Sequence, residues 1–586
     1  VPERQAEEMT MTVADVTKFG AVGDGNTDCT NAINECLKWA KSMGIHTVWI
    51  PNGTYLIDAT QNGDPAFPFR NAGINVPSGI AIQMDAEAVM QVKPNGSWGY
   101  SVFYIGGESN VKISGGAIIG DRDDHTYTPT PRPTHEWGFG ICVEGASHVL
   151  IENVRLVDFT GDGIIISTGG QGYKPSMDVT VRNCNISRSR RNNISITGCD
   201  GVLVEGCNIE DAGTGNGTAP RFGIDIEGYS EGSVVYEKPV NVIIRNNVFK
   251  GNVNSAVANF NGASVVIEGN RADGTISYGY GAKTIIAGNV LENNPDAARP
   301  KTGIAGLGTD TLGEDRDAVI KGNLITGFST GIDIRGKSVL VSGNKINDFE
   351  NAGISVYTAS QVFIEGNDIE NGVPEKKKSV GFSVTQSDRI TFSNNTITNV
   401  ILAVRSSGED VQLKQNVIKL FSRGVWISQG NAVIEGNFIS PASFRIVPES
   451  YSLSVTDRAS AVIQNNTITG FKNFAIYCST EKETKIFGNM IEDSPLVVTI
   501  YMTLGTHEFI GNTVSLIREE RPAIILYISQ STGSLIMNNT IHSRSADGIT
   551  AIQTDASTQS RIVGNTVVKG TIHSHQTDVV KGNIVV

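Results

Sequence analysis

The chain has 586 residues, with 47 Lys and Arg against 60 Asp and Glu, a net charge of -13 and a pI near 5.2. That balance disfavours nucleic acid, whose phosphates bind Lys and Arg, and no apolar run approaches the ~20 residues of a membrane span. With 65 Gly, 18% charged and 7% aromatic residues, the composition suits short strands between turns rather than a disordered or membrane chain.

The opening VPERQAEEM has no basic-then-apolar leader pattern, so either a leader has been removed or the chain is a piece of a longer protein. Next, Ile33, Cys36, Leu37 and Ala40 recur at i, i+3, i+4 and i+7. This spacing predicts an amphipathic helix, capped by Asn26 or Thr27 and stopped by Gly44. Strands start at HTVWIPNGTYLI. Residues 1–50 are therefore read as an N-terminal segment whose helix covers the open hydrophobic end of a stack of strands.

Residues 51–586 form that stack as one continuous repeat. The frame apolar-x-apolar-x-Gly/Asn-Asn-x-apolar recurs in VIIRNNVF, VVIEGNRA, AVIKGNLI and VFIEGNDI, placing Asn247, Asn270, Asn289, Asn323, Asn344 and their successors to Asn583 mostly 18 to 29 residues apart. A period in that range with strand-like alternation marks a β-solenoid, each unit being one turn of a parallel β-helix. Stacked asparagines at a sharp bend satisfy one another's amides from coil to coil. Upstream, Cys184 and Cys207 take the Asn slot, with Asn153 read as the slot before them. The two cysteines are expected to be stacked free thiols. Cys29 and Cys36, roughly 10 Å apart on the helix, cannot bridge.

A second frame stacks GICVE at 140, GIIIS at 163, NISIT at 193, GIDIE at 223 and SAVAN at 255. Alternation sends Ile141, Ile164, Ile194 and Ile224 inward. One outward column then reads Cys142, Ile165, Ser195, Asp225, Val257, and the next Glu144, Ser167, Thr197, Glu227, Asn259. Asp225 and Glu227 thus share one face of one strand, about 6 to 7 Å apart at Cα. The preceding turns align Gly138, Gly161, Arg191 and Arg221, then Phe139, Asp162, Asn192 and Phe222. Asp162 falls two coils from Asp225, roughly 10 Å away, with Arg191 and Arg221 at the rim. Insertions at 120–138, 211–221 and 228–239 would wall a cleft over residues 115–270, leaving 300–586 as C-terminal coils. The first insertion carries His135, Glu136 and Trp137, an aromatic beside acids on which a sugar ring could stack.

Paired carboxylates suit glycoside hydrolysis, with one acid protonated and the other ionised. The catalytic candidates are Asp225, Glu227 and Asp162, and the substrate-binding candidates His135, Glu136, Trp137, Arg191 and Arg221. The Asp225 to Glu227 spacing fits inversion. Each has a plainer alternative: solvated outward acids, an ordinary GDG turn, a loop pinned to the solenoid, or a solvated basic turn. No CxxC, HExxH or paired His sits at metal-ligand spacing.

FGAVGDGNTD, the helix after it and VWIPNGTYLI resemble the opening of the pectate-lyase-like superfamily, of the pectate lyase 3 type. The resemblance implies an all-β, right-handed parallel β-helix with a capping α-helix, a polysaccharide ligand, and an extracellular or virion-associated setting. Through the superfamily's tailspike depolymerases it also implies a homotrimer. Calcium is used by many of its lyases, and Asp121, Asp123 and Asp124 are the residues that could gather it; no other cofactor is expected. One fold serves many chemistries. The leading expectation is a hydrolase acting on an extracellular or cell-surface polysaccharide or teichoic-acid-like polymer. The alternatives are a calcium-assisted lyase on a uronate polymer, using Arg191, Arg221 or His135 as base, and a non-enzymatic adhesin or tail fibre.

Overall fold

The computed structural model describes residues 12–129, 132–170, 172–294, 302–308, 315–372, 379–441, 450–471, 473–492, 498–516, 524–543, 549–555 and 559–586. The chain divides into two compact units, Val1–Ala297 and Ala298–Val586.

In the first unit each coil contributes three short strands, and each strand pairs in parallel with its counterpart one coil later. Trp137–Glu144 pairs with Ile164–Ser167, Ser147–Glu152 with Ser176–Arg182, and Arg155–Val157 with Asn185–Ser187. The pattern continues through Ile194–Ile196 and Ile224–Ile226. Parallel neighbours need a crossover, and here the other two strands of the coil supply it. The result is a parallel β-helix of three sheets. Its core is a stack of like side chains: Ile141, Ile164, Ile194 and Ile224, beside Val143, Ile166, Ile196 and Ile226, are all fully buried.

The helix spans Thr30–Ser42 and buries Ile33, Cys36, Leu37 and Ala40, the face expected. Full burial of Ile33 and Leu37 alone contributes about 4 kcal/mol. Buried Asn34 adds a polar clamp, donating to the Gly73 carbonyl at 2.8 Å and accepting from the Asn75 amide at 2.9 Å. The cap is not Asn26 or Thr27: both of those amides bond to Asp24, and Asp28 accepts from the Thr30 amide at 3.0 Å. An acidic side chain there also complements the helix dipole. Gly44 follows the helix at φ +68°, the left-handed stop that glycine permits.

The asparagine ladder holds in both units. In the first, Asn247 gives its amide and Nδ2 to Asn270 Oδ1 at 3.0 and 3.1 Å, and Asn270 repeats the pattern on Asn289. In the second, Asn416 gives both to Asn437, and Asn437 both to Asn466, all at 2.9 Å. Cys207 accepts from the Cys184 amide at 3.4 Å and donates its own amide to Asn247, so the thiols continue the ladder, and all seven cysteines are free. Asn153 is one place early. Register sets Glu152 beside Arg182, so Asn153 aligns with Asn183, the residue before the slot, and Val154 fills the interior. The corner demands a left-handed residue there, and Asn153, Asn183 and Asn246 adopt φ between 53° and 57°.

The outward column also needs one correction. Asp225 pairs with Ala258 rather than Val257, and Asn259 pairs with Ile226. Asn259 is turned inward and fully buried, donating to Thr284 Oγ1 at 3.0 Å and accepting from the Gly262 amide at 2.8 Å. Satisfying that buried amide fixes the strand one residue from the frame its spacing implied.

Candidate functional site

The outward column of the first unit runs Tyr104, Cys142, Ile165, Ser195, Asp225. It begins apolar and ends polar. At its start Phe69, Tyr104, Phe139, Cys142 and Ile165 form a buried cluster outside the coil, with Trp137 against it. Trp137 stacks on Phe69 at 5.3 Å and 18°, and Arg132 lies 5.1 Å from its ring centre, so both neighbours occupy its flat faces. Its indole Nε1 is buried without a hydrogen-bond partner.

At the polar end the turn residues and the strand meet. Arg191 Nη1 donates to Asp162 Oδ2 at 2.9 Å and to Ser195 Oγ at 3.2 Å. The same guanidinium lies 4.0 Å from Asp225 Oδ2 and 3.5 Å from Glu136 Oε2. Asn192 bridges the two acids, its amide bonding Asp162 Oδ1 at 2.9 Å and its Nδ2 bonding Asp225 Oδ2 at 3.0 Å. Its Oδ1 accepts from the Phe222 amide at 2.9 Å, which ties the bridge to the next turn. Asp162, two coils from Asp225, is therefore joined to it through one intervening coil.

Burial is uneven. Asp162 is wholly buried and Asp225 is 2% exposed, whereas Glu227 is exposed. The side chains of Arg191 and Glu136 keep 22% and 31% exposure. Burial pushes the Asp162 carboxyl up, with Arg191 and the Asn192 amide opposing. Asp225 is pushed up to about 7, first by burial and then by Glu227 and Asp162, against Arg191 and Asn192. Burial works against the Arg191 charge, yet Asp162, Asp225 and Glu136 together hold its guanidinium above its usual value.

The other candidates go elsewhere. Fully buried His135 bonds His125 at 2.9 Å and the Thr128 carbonyl at 2.8 Å, and His125 continues to Asp121 at 2.7 Å. This chain ends on Tyr100, whose hydroxyl donates to Asp121 at 2.8 Å, and it fastens the first insertion to the coil. Residues 130 and 131 of that insertion lie outside the described residues. Arg221 bonds within its own loop, to the Gly217 carbonyl at 2.9 Å. Arg188 pairs with Asp158 and Asp123. Arg190 stacks on Tyr127 at 4.5 Å and bonds the Asn216 carbonyl. Arg122, 2% exposed, reaches Asn216 Oδ1 at 3.1 Å and the carbonyls of Arg188 and Thr214, so the first two insertions are locked together.

The third insertion leaves directly after Glu227 as a hairpin, Ser230–Glu231 with Val234–Val235, whose Tyr229 and Tyr236 rings stack at 5.5 Å. Asp121 and Asp123 are engaged by His125, Tyr100 and Arg188, and among the described residues no three His, Cys, Asp or Glu are grouped to hold a metal ion. No helix among them is long and apolar enough to cross a membrane.

Asn192 is the site residue the spacing did not single out. Its column reads Phe139, Asp162, Asn192, Phe222, and an amide stacked directly on an acid between two aromatics was the available signal.

The family model described as a right handed beta helix region matches residues 69–215, 172–305, 301–439 and 442–585. A second, described as rhamnogalacturonase A/epimerase, pectate lyase-like, matches residues 13–95. The uncharacterized protein YclG of Bacillus subtilis (strain 168) is 56% identical over 580 residues, covering 98% of this chain and 99% of its own. The SPbeta prophage-derived uncharacterized protein YorA of the same strain is 32% identical over 533 residues, covering 89% of each. Among solved structures, pre-mature bacteriophage phi29 gene product 12 is similar at 13% identity and a TM-score of 0.48, over 93% of this chain and 73% of that one. The chain belongs to the right-handed β-helix family and opens with a pectate-lyase-like N-terminal region.

Proposed function

We propose that the first unit carries the active site of a carbohydrate-active enzyme that hydrolyses a long extracellular or cell-surface polysaccharide or a teichoic-acid-like polymer. One observation carries this reading: Asp225, held near neutrality at about 7, lies two residues from exposed Glu227 on the same outward face. A carboxyl that keeps its proton beside a second, solvent-exposed carboxyl is the pairing glycoside hydrolysis needs. Asp225 gives its proton to the leaving glycosidic oxygen, and Glu227 takes a proton from the attacking water. Water's hydroxyl adds to the sugar carbon as the bond to the leaving oxygen breaks. Inversion is the outcome where the two carboxyl groups stand about 6.5 to 9.5 Å apart, which leaves room for that water.

Asp225 Oδ1 is buried without a hydrogen-bond partner, and is the oxygen that would carry the proton. Asp162 and Asn192 hold the frame, and Arg191 limits how far the Asp225 carboxyl rises. Glu136 and Arg191, the parts of the cluster that keep solvent exposure, would meet the polymer's hydroxyls first. The pectate-lyase-like model over residues 13–95 supports a carbohydrate polymer as substrate.

The burial of Asp162 and Asp225 favours a second reading, in which the outward face of the first unit binds a glycan without turnover. A lyase reading has less support, because Arg191, its best-placed base, is held charged beside Asp162 and Glu136. Incubation with surface polysaccharides and teichoic acids, followed by product mass analysis, separates the three. Hydrolysis adds one water per cut, elimination leaves an ultraviolet-absorbing double bond, and binding alone leaves the polymer intact.

A further inference from the structure

Away from the acids, the second unit has a groove of about 620 Å³ on its outer face. Its floor is one column of four successive coils, in which Leu340 pairs with Phe363, Phe363 with Thr391 and Thr391 with Gln412. Its bank is the preceding corner column, Ser338, Gln361, Arg389 and Asp410, all in the left-handed region at φ between 51° and 61°. Because each coil repeats that corner, the four side chains leave the backbone at one place and rise along one edge. Phe363 is 55% exposed in the middle of the floor.

We propose that this groove is a binding site for an uncharged glycan chain lying along the coil axis. Three features select that ligand class. The bank and floor alternate hydroxyl, amide, guanidinium and carboxylate groups around one aromatic ring, the mix of donors, acceptors and apolar face that a sugar engages. The lining has one cation, Arg389, and one anion, Asp410, with Arg389 also paired to Asp388 at 3.0 Å, so neither nucleic acid nor a polyanionic polymer finds an excess of positive charge. Every floor strand is paired on both flanks, which denies an extended peptide the free strand edge it would need. Repeat lengths also agree: coils rise about 4.8 Å, close to one sugar residue, so four coils present about three sugar-length steps. The site is independent of the acid pair and would hold polymer whether or not the first unit cuts it.

The test is calorimetric titration of the full chain with cello-, xylo-, manno-, laminari- and maltohexaose, with a hexagalacturonate as the charged control. The proposal expects at least one neutral hexaose to bind, Phe363→Ala and Gln412→Ala each to weaken it by about tenfold, and Asp225→Asn to leave that affinity unchanged. Thr391→Trp, which crowds the floor beside Phe363 and removes the Thr391 hydroxyl, should also weaken binding of the same hexaose. Binding of none of the neutral hexaoses, stronger binding of hexagalacturonate, or affinity untouched by both Phe363→Ala and Thr391→Trp overturns it.

Discussion

Replacing Asp225 with Asn tests whether the fold holds this acid protonated. The carboxyl stands at 3.8 when free and is raised to about 7 in the folded chain. Below the lower value both states are protonated and the site costs nothing. As pH rises through the window between the two, the unfolded chain ionises while the folded chain does not, so stability is lost until about pH 7 and then levels. About three pKa units correspond to about 4 kcal/mol for a group this buried. Asn has nearly the same shape, keeps an oxygen for Asn192 Nδ2 and does not titrate. The Asn variant should therefore match the wild type at pH 3.5 and exceed it by about 4 kcal/mol at pH 8. A solenoid need not unfold in one step, so the comparison is best made by hydrogen exchange of the segment around Ile224–Ile226, corrected for intrinsic rates. A difference that stays constant with pH, or that grows in favour of Asp, would refute the reasoning.

Removing one rung of the ladder, Asn437→Ala, strips the Asn416 amide and the Leu413 carbonyl of buried partners and should cost about 2 to 4 kcal/mol, read as raised exchange in the coils on either side. Arg122→Ala removes the bonds to Asn216 and Thr214 and leaves Arg190 as a link between the two insertions, and limited proteolysis should cut within 211–221 at least several-fold faster while distant sites keep their rate. The seven free, buried thiols should resist a thiol reagent in the native chain and all react in denaturant; a pair that stays unreactive there would mean that Cys184 and Cys207 are bridged.

Much of the architecture can be read from spacing because a parallel coil repeats its environment at the same phase. The inward Ile columns and the ladder from Asn247 onward follow from period alone. Errors of one place arise where two adjacent residues suit adjacent jobs. Asn tolerates both the left-handed corner and the ladder slot, so spacing puts Asn153 in the second while its backbone occupies the first. Asn259 displaces its strand by bonding inward, which alternation alone does not reveal.

The site is legible to the extent that it depends on stacking. The turn and strand columns bring Asp162, Arg191 and Asp225 near one another, and the structure joins them. The bridging role of Asn192 depends on where one amide points across two coils. The fate of His135 depends on a loop that folds its ring inward at φ 48°, against His125. Neither direction is encoded in a period. The separate destinations of Arg188, Arg190 and Arg191 likewise follow from alternation only once the surrounding loops are in place.

In the proposed hydrolysis the division of acid and base falls to Asp225 and Glu227. Its most direct measurement is the initial rate of chain-end release from the cleaved polymer by Asp225→Asn and Glu227→Gln, with polymer binding measured alongside. Each variant should lose about 10³-fold in rate while binding stays within about twofold. Wild-type turnover by either variant would contradict it.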